Sequence, residues 1–412
     1  MPKIVPFRAV RPTRDKVSLI ASRAYESYTE EQRKARLDTN PYSFLHVLNP
    51  GYKYHKVISG HRHFELVKNR YEEFKDNGYF IKDSQPAYYF HKIVNRENQV
   101  FHGIVGAASI EDYQHNIIKK HEETLSKRVE TFKNYLEIAR FSAEPVLVTY
   151  KDNARLKEIF NTISKTRAEY EFTTTYRDTH YLWVVDDQEV VQEVTQQFSQ
   201  MDSAYIADGH HRSKASALLA DHYAQKEEQA ASSEALRYFM TFNIPESELS
   251  IYEFNRLVRD LNGLSKEEFL VELDTYFHIE NRGNTFYRPE KKGFFSMYLD
   301  GAFYSLHLRK YNYTFTDSLS KLDVRILYDT ILNPILGIKD LRHDKRISYA
   351  HGKKGMAYIK GLIDKGEYAI GFGLLPTTIE EVKEIADDGL VMPPKATYIE
   401  PKLRSAVTIY EI

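Results

Sequence analysis

The sequence predicts an α/β protein with mixed sheets. Three observations carry that reading. Pro145-Val146-Leu147-Val148-Thr149-Tyr150 and His180-Tyr181-Leu182-Trp183-Val184-Val185 have the length and the β-branched and aromatic content of buried strands. Other segments place apolar residues at helical spacing. Strands and helices then alternate through the middle of the chain.

The elements follow in order. Glu30 to Leu37 reads as a helix stopped by Asn40-Pro41. The apolar run Tyr42 to Val47, closed by Asn49-Pro50-Gly51, reads as a buried strand and turn. His63 to Asp76 carries Phe64, Val67, Tyr71 and Phe74 on one helical face and ends at Asn77-Gly78. Pro86 to His91 and Gln99 to Val105 read as paired strands around the polar turn Asn95–Asn98. Glu122 to Phe141 reads as a long helix with one buried face. Ser203 to Ala207 is a short strand, followed after a polar turn by an alanine-rich helix, Ser213 to Ala224. Glu227 to Ser233 is a candidate exposed loop or helix extension. Alternating strand patterns fill Phe277 to Leu308, Asp323 to Leu332 is a helix, and Gly389 to Ile412 holds a loop and a closing strand. At 412 residues two or three domains are expected. Approximate boundaries give an N-terminal mixed region at 1–110, a central core carrying the motifs at 111–260, and a C-terminal region at 261–412 that closes the site.

Composition narrows the function. The formal charge is −1, with 57 Lys and Arg against 58 Asp and Glu, so a general polyanion binder is excluded and no nucleic-acid partner is expected. There is no cysteine, which removes disulfides, thiolate metal sites and a cysteine nucleophile. No apolar run approaches the roughly 18–20 residues of a membrane span, and the N-terminus lacks an apolar secretory core. The expectation is a soluble, cytoplasmic globular protein.

The segment richest in chemistry is Tyr205-Ile206-Ala207-Asp208-Gly209-His210-His211-Arg212-Ser213. A buried strand ends at Asp208, Gly209 allows a tight turn, and a helix begins. A helix N-terminus presents N–H groups and about half a positive charge to an anion. Arg212 adds a fork matched to two phosphate or carboxylate oxygens. His210 and His211 can donate hydrogen bonds or shuttle protons near neutral pH. Asp208 can bind a metal, orient a histidine or pair with Arg212. So many polar residues between a buried strand and a buried helix favour a ligand site over a plain cap.

Two further clusters stand out. Lys119-Lys120-His121-Glu122-Glu123-Thr124 opens a predicted helix, where acidic residues are also ordinary dipole partners. The His-Glu-x-x-His zinc pattern is absent, because Leu125 stands in the second histidine position. Met392-Pro393-Pro394-Lys395-Ala396-Thr397-Tyr398, with Pro401-Lys402 behind it, forms a stiff loop presenting Lys395 and Thr397. Gly60-His61-Arg62-His63 reads as solvated, and Gly371-Phe372-Gly373 lacks the third glycine of a dinucleotide loop. No Gly-x-x-x-x-Gly-Lys-Ser/Thr loop and no Gly-x-Ser-x-Gly elbow occurs, against a P-loop enzyme and an α/β-hydrolase.

Taken in order, Asn40 to Val47, Lys119 to Thr124, Ile206 to Arg212 and Met392 to Tyr398 with Pro401-Lys402-Leu403 resemble domain-of-unknown-function family 1015 over nearly the whole chain. Two positions depart from that family's pattern. Ser22-Arg23-Ala24-Tyr25-Glu26 stands in place of Pro-Pro-Tyr-Asp, and Ala396 in place of a serine. The Asp-Gly-His-His-Arg box is also similar to the phosphate-binding box of free-serine kinases of the ParB/sulfiredoxin-like group. That likeness implies a ParB/sulfiredoxin-like phosphate-binding core with N- and C-terminal elaborations. It implies a phosphoryl-transfer enzyme of serine metabolism, kinase-like or phosphatase-like, acting on free serine or O-phosphoserine. Gly209, His211, Arg212, Lys120, Thr124, Lys395 and Thr397 would bind phosphate or substrate. Glu122 would be the base with His121 as its rival, Asp208 would hold Mg²⁺ or orient His210, and a nucleotide or pyrophosphate would give or take the phosphoryl group. The alternative is a non-catalytic, nucleotide-sensing ParB-like module.

Overall fold

A computed structural model describes residues 1–225 and 234–412, so the polar stretch Glu227 to Ser233 lies outside the described residues. The described residues form a mixed α/β structure and group into two compact units. The first unit comprises Met1–Lys120, Thr124–Leu249 and Pro401–Ile412. The second comprises His121–Glu123 and Ser250–Glu400. The chain thus leaves the first unit for three residues at the His-Glu motif and returns.

The first unit is organised by a nine-stranded sheet. Its strands are β1 (Ile4–Val5), β2 (Tyr88–Val94), β3 (Val100–Ser109), β4 (Ile118–Lys119), β5 (Val146–Tyr150), β6 (Tyr170–Thr173), β7 (Thr179–Val185), β8 (Ala204–Asp208) and β9 (Tyr238–Pro245). The order is β4-β8-β5-β9-β3-β2-β7-β6, with β1 also on β3. β8 runs parallel to β4 and antiparallel to β5, while β9 runs parallel to β5 and antiparallel to β3. The hairpin β2–β3 pairs Tyr89 with Val105 around the polar turn, as the alternation predicts. Besides the helix Glu30–Thr39 and shorter helical turns, the unit carries α1 (Gly60–Asp76), α2 (Ser126–Ala139), α3 (Ala154–Ile163), α4 (Gln188–Ser199) and α5 (His210–Gln225). α2 and α5 pack on each other through Val129, Leu136, Ala215, Leu219 and Tyr223, which fixes the start of α5 against the sheet.

The second unit holds a six-stranded sheet of β10 (Phe254–Val258), β11 (Phe277–Gly283), β12 (Phe294–Leu299), β13 (Ala302–Leu308), β14 (Ile347–His351) and β15 (Ile370–Gly373). The order is β11-β13-β12-β15-β10-β14, and every neighbouring pair is antiparallel. α6 (Lys266–Asp274), α7 (Gly355–Asp364) and α8 (Ile379–Asp387) complete it. β14 and β15 both run antiparallel to β10, so α7 links two parallel strands that flank it.

Three local expectations change. The run at Tyr42 to Val47 is not a strand: Leu45–Leu48 is a helical turn, followed by a 3₁₀ turn at Pro50–Tyr54. Phe44 and Val47 both bury, a spacing a helix satisfies, and a short apolar run does not by itself separate helix from strand. The long helix begins at Ser126, because Glu122 is extended and bridges Met392. The helix at Asp323 becomes a wider π turn over Tyr328–Leu332.

Asp323 gives the second unit a pH signature. Its carboxylate is buried, accepts the Gly293 N–H at 2.7 Å, and has an Oδ2 without a partner among the described residues. Burial pushes the carboxyl up to about 6, against the pull of the Gly293 hydrogen bond. In the unfolded chain the value is about 3.9, so stability falls as pH rises from about 4 to about 6 and the penalty is complete above that. Asp323→Asn is expected to stabilise by about 1–3 kcal/mol more at pH 8 than at pH 4 in urea unfolding. Equal effects at both pH values contradict this.

Candidate functional site

The site is built where β8 hands over to α5. Ile206 lies opposite Val148 and Asp208 opposite Leu147, so Ala207 is an extra residue in β8. Such a bulge bends the strand end and re-aims the residue that follows. Gly209 then takes φ +103°, a conformation that side chains resist. A Cβ there would lie 3.1 Å from Nη2 of Arg212. The Gly209 carbonyl accepts the N–H groups of Arg212 and Ser213 at 2.9 and 3.1 Å, which makes Gly209 the N-cap of a 16-residue helix. Glycine brings no capping side chain to that turn.

The side chains divide the work. His210 is buried and His211 half-buried. The Leu125 N–H donates to Nε2 of His211 at 3.1 Å, so the ring accepts there and a neutral His211 carries its proton on Nδ1. This bond ties the segment after Thr124 to the start of α5. Arg212 donates from Nη1 to the Pro145 carbonyl at 2.9 Å and pairs with Glu144 at 3.5 Å. Glu144 also accepts the Ser405 hydroxyl at 2.6 Å. The direct partner of Asp208 is Lys402, at 2.9 Å. Desolvation alone would raise the Asp208 carboxyl, but the charges of Lys402 and Arg212 and the Lys402 hydrogen bond bring it down to about 2.

Cations collect at the same turn. Lys120 lies 5.0 Å above the Tyr113 ring, whose hydroxyl meets Ser213 in the first turn of α5. Desolvation, followed by the charge of Lys214, pulls the Lys120 ammonium below the ordinary lysine range. Among the described residues no carboxylate forms an ion pair with Lys120 or Lys214. A cavity of about 560 Å³, lined by Arg212, opens between α1, α2 and α5. Phe64, Phe132 and Tyr135 give it aromatic walls, and Arg212 and Glu144 line it. Tyr25 and Glu26 also line it, with Glu26 paired to Arg128 at 3.2 Å.

The second unit brings the other two clusters side by side. The Met392 N–H donates to the His121 carbonyl at 2.8 Å, and Glu122 bridges Met392. His121 is buried, Glu122 is exposed, and Glu123 pairs with Arg342 at 3.1 Å. Further along the loop, Lys395 takes φ +57° and stays exposed, while Thr397 is half-buried. Arg256 secures this loop. It is 1% exposed, donates to the Lys395 carbonyl at 3.0 Å and to the Phe254 carbonyl, and lies 5.2 Å over the Tyr349 ring. Its Nε has no partner among the described residues, and burial lowers the guanidinium to about 10. Burying a cation without a carboxylate is costly, and here that cost fixes the backbone under Lys395.

The predicted residues therefore fall into two groups. Lys120, Asp208, Gly209, His210, His211 and Arg212 gather in the first unit, with Thr124 one residue before Leu125. His121, Glu122, Lys395 and Thr397 belong to the second. Sequence reasoning missed Lys214, Glu144 and Arg256. Lys214 stands four residues after His210 on the same helical face, a spacing that was readable. Glu144 and Arg256 carry no local signal. Among the described residues no group of three His, Asp or Glu side chains stands ready for a metal, and Asp208 already engages Lys402.

The chain matches the family of proteins of unknown function designated DUF1015 over residues 4–325, and it belongs to that family. No curated protein matches it. Among solved structures it is similar to a free serine kinase in complex with AMP, at 12% identity and TM-score 0.35, covering 74% of this chain and 92% of that one. It is also similar to SbnI with a C-terminal truncation from Staphylococcus aureus, at 13% identity and TM-score 0.37, covering 74% and 87%. A third is a conserved hypothetical protein from Pyrococcus furiosus, at 12% identity and TM-score 0.33, covering 75% and 94%. Among the described residues no helix is long and apolar enough to cross a membrane.

Two measurements check the site. Lys402→Met is expected to raise the Asp208 carboxyl from about 2 towards the ordinary 3.9, read by carboxyl NMR titration. The folded value lies below the unfolded one, so stability from this pair is present above about pH 4 and disappears as pH falls towards 2. Both side chains are nearly half exposed, so solvent holds that contribution within about 1 kcal/mol. Arg256→Met is expected to keep stability within about 2 kcal/mol while amide exchange at Ala396 and Thr397 accelerates about tenfold or more. Unchanged exchange contradicts the loop-fixing role.

Proposed function

We propose that the protein transfers a phosphoryl group between a nucleotide or pyrophosphate donor and free serine, or in reverse from O-phosphoserine. One observation carries the reading. Near the N-terminal turn of α5, capped by glycine, Lys120 and Lys214 lie close enough for their charges to act on each other, and no carboxylate pairs either among the described residues. Like charges held together at a positive helix end favour a polyanion between them. Phosphoryl transfer needs this kind of charge neutralisation and positioning more than covalent help. The aromatic cavity beside Arg212 has the size of a nucleoside pocket, which supports a nucleotide over pyrophosphate.

In the forward direction the serine hydroxyl oxygen attacks the terminal phosphorus. The bond from phosphorus to the bridging oxygen breaks, the electron pair leaves on the shortened donor, and the hydroxyl proton passes to a base. Glu122 is the proposed base and His121 its rival. Gly209, His211, Arg212 and Lys120 are proposed to hold phosphate, with Asp208 orienting His210. Thr124, Lys395 and Thr397 are proposed to bind substrate. Any magnesium would arrive on the donor's phosphates.

The test is ³¹P NMR of the full chain with serine and ATP or pyrophosphate, and with O-phosphoserine and ADP, each with Mg²⁺. Turnover is expected in at least one direction, and Lys120→Met, at an exposed position, is expected to lower kcat/KM about 100-fold or more. No turnover in either direction, with ATP still raising the Tm, overturns the enzyme reading in favour of a nucleotide sensor.

A further inference from the structure

The second unit contains a separate cavity of about 560 Å³, lined by residues of that unit alone. It lies at the ends of β14 and β15 and the start of α7. α7 is ten residues long, its N-cap Lys354 makes no side-chain capping bond, and Gly355, Met356 and Ala357 of its first turn line the cavity, with the Gly355 N–H donated to the Gly352 carbonyl.

A second, independent observation points to a ligand. Asn255 lines the cavity and is 2% exposed. Its Oδ1 accepts the Leu374 N–H at 3.2 Å, whereas its Nδ2 makes no hydrogen bond among the described residues. An amide whose protons open onto the cavity can donate to an acceptor bound there. Arg288 lines the same space, and no carboxylate forms an ion pair with it among the described residues. Amide donors, a guanidinium and a helix start together suit a carboxylate.

The remaining walls define the rest of the ligand. Glu253 lines the cavity, and its carboxylate lies against Gly352, where a Cβ would come within 2.3 Å of Oε1. No donor among the described residues bonds that carboxylate, so it is available to an ammonium. Phe286 and Phe303 meet edge to face at 5.7 Å, and buried Met356 and Leu374 continue the apolar surface. Phe286 is half exposed, a large ring left at the mouth of the pocket. One carboxylate subsite, one ammonium subsite and an apolar wall are the three parts of an α-amino acid with an apolar or aromatic side chain.

We propose that this cavity is a binding site for a free apolar α-amino acid, distinct from the phosphate-binding turn of α5. The inference does not depend on the proposed phosphoryl transfer.

Calorimetric titration of the full chain with L-phenylalanine and L-leucine tests it. Binding with Kd of about 1 mM or tighter is expected for at least one of them. 3-Phenylpropionate, which lacks the ammonium, and phenethylamine, which lacks the carboxylate, are expected to bind about tenfold more weakly or worse. Asn255→Ala and Arg288→Ala are each expected to weaken the amino acid about tenfold. Glu253→Gln is expected to weaken the amino acid but leave 3-phenylpropionate unchanged. Arg288 is exposed and unpaired, so its variant carries the test if Asn255→Ala fails to fold. Lys120→Met is expected to leave the titration unchanged. No heat with either amino acid up to about 10 mM overturns the site. So does binding that Arg288→Ala spares, or 3-phenylpropionate binding as tightly as L-phenylalanine.

Discussion

The first unit's candidate site depends on one constraint, the left-handed backbone at Gly209 directly after a bulged strand. A buried strand cannot usually turn into a buried helix within a single residue, because side chains obstruct the turn. Glycine removes the obstruction, and the extra residue Ala207 bends β8 so that Asp208 emerges beside Lys402. Everything polar nearby follows from this turn. Arg212 folds back against Gly209, where a Cβ would crowd it, and reaches Glu144. Asp208 neutralises Lys402, and Glu144 answers Arg212. Lys120 and Lys214 are left with no carboxylate among the described residues, and the turn therefore carries excess positive charge.

The second unit uses strain and buried charge differently. Lys395 adopts a left-handed backbone without being glycine, and Arg256 is buried beneath it with carbonyls in place of carboxylates. Such an arrangement lowers stability in exchange for a fixed loop. The same unit keeps Asn255 half-satisfied inside a cavity. In both places the departures from ideal burial lie next to the residues that face outward with chemistry to offer.

Much of this was legible in the sequence. The hairpin of Tyr88–Val94 with Val100–Ser109 follows from alternation and its polar turn, and the strand ending at Asp208 follows from its apolar run and the glycine after it. The residues of the Asp-Gly-His-His-Arg box were readable because glycine, histidine and arginine each have a distinct use at a helix start. The helical turn at Leu45–Leu48 was not, since a six-residue apolar run satisfies either period. Nor was the interleaving of the two units at His121–Glu123, because no linker composition marks a chain that crosses for three residues. Arg256 escaped notice for a physical reason: its role is set by burial and by the Lys395 carbonyl, and neither has a sequence signature.

The most direct measurement of the central claim is ¹H–¹⁵N NMR of the full chain during titration with inorganic phosphate. Saturable shifts confined chiefly to the amides of Gly209 to Ser213, and lost when Lys120 and Lys214 are both replaced by methionine, are the predicted result. Phosphate that leaves those amides unmoved, or shifts them equally well in the doubly substituted chain, contradicts the account.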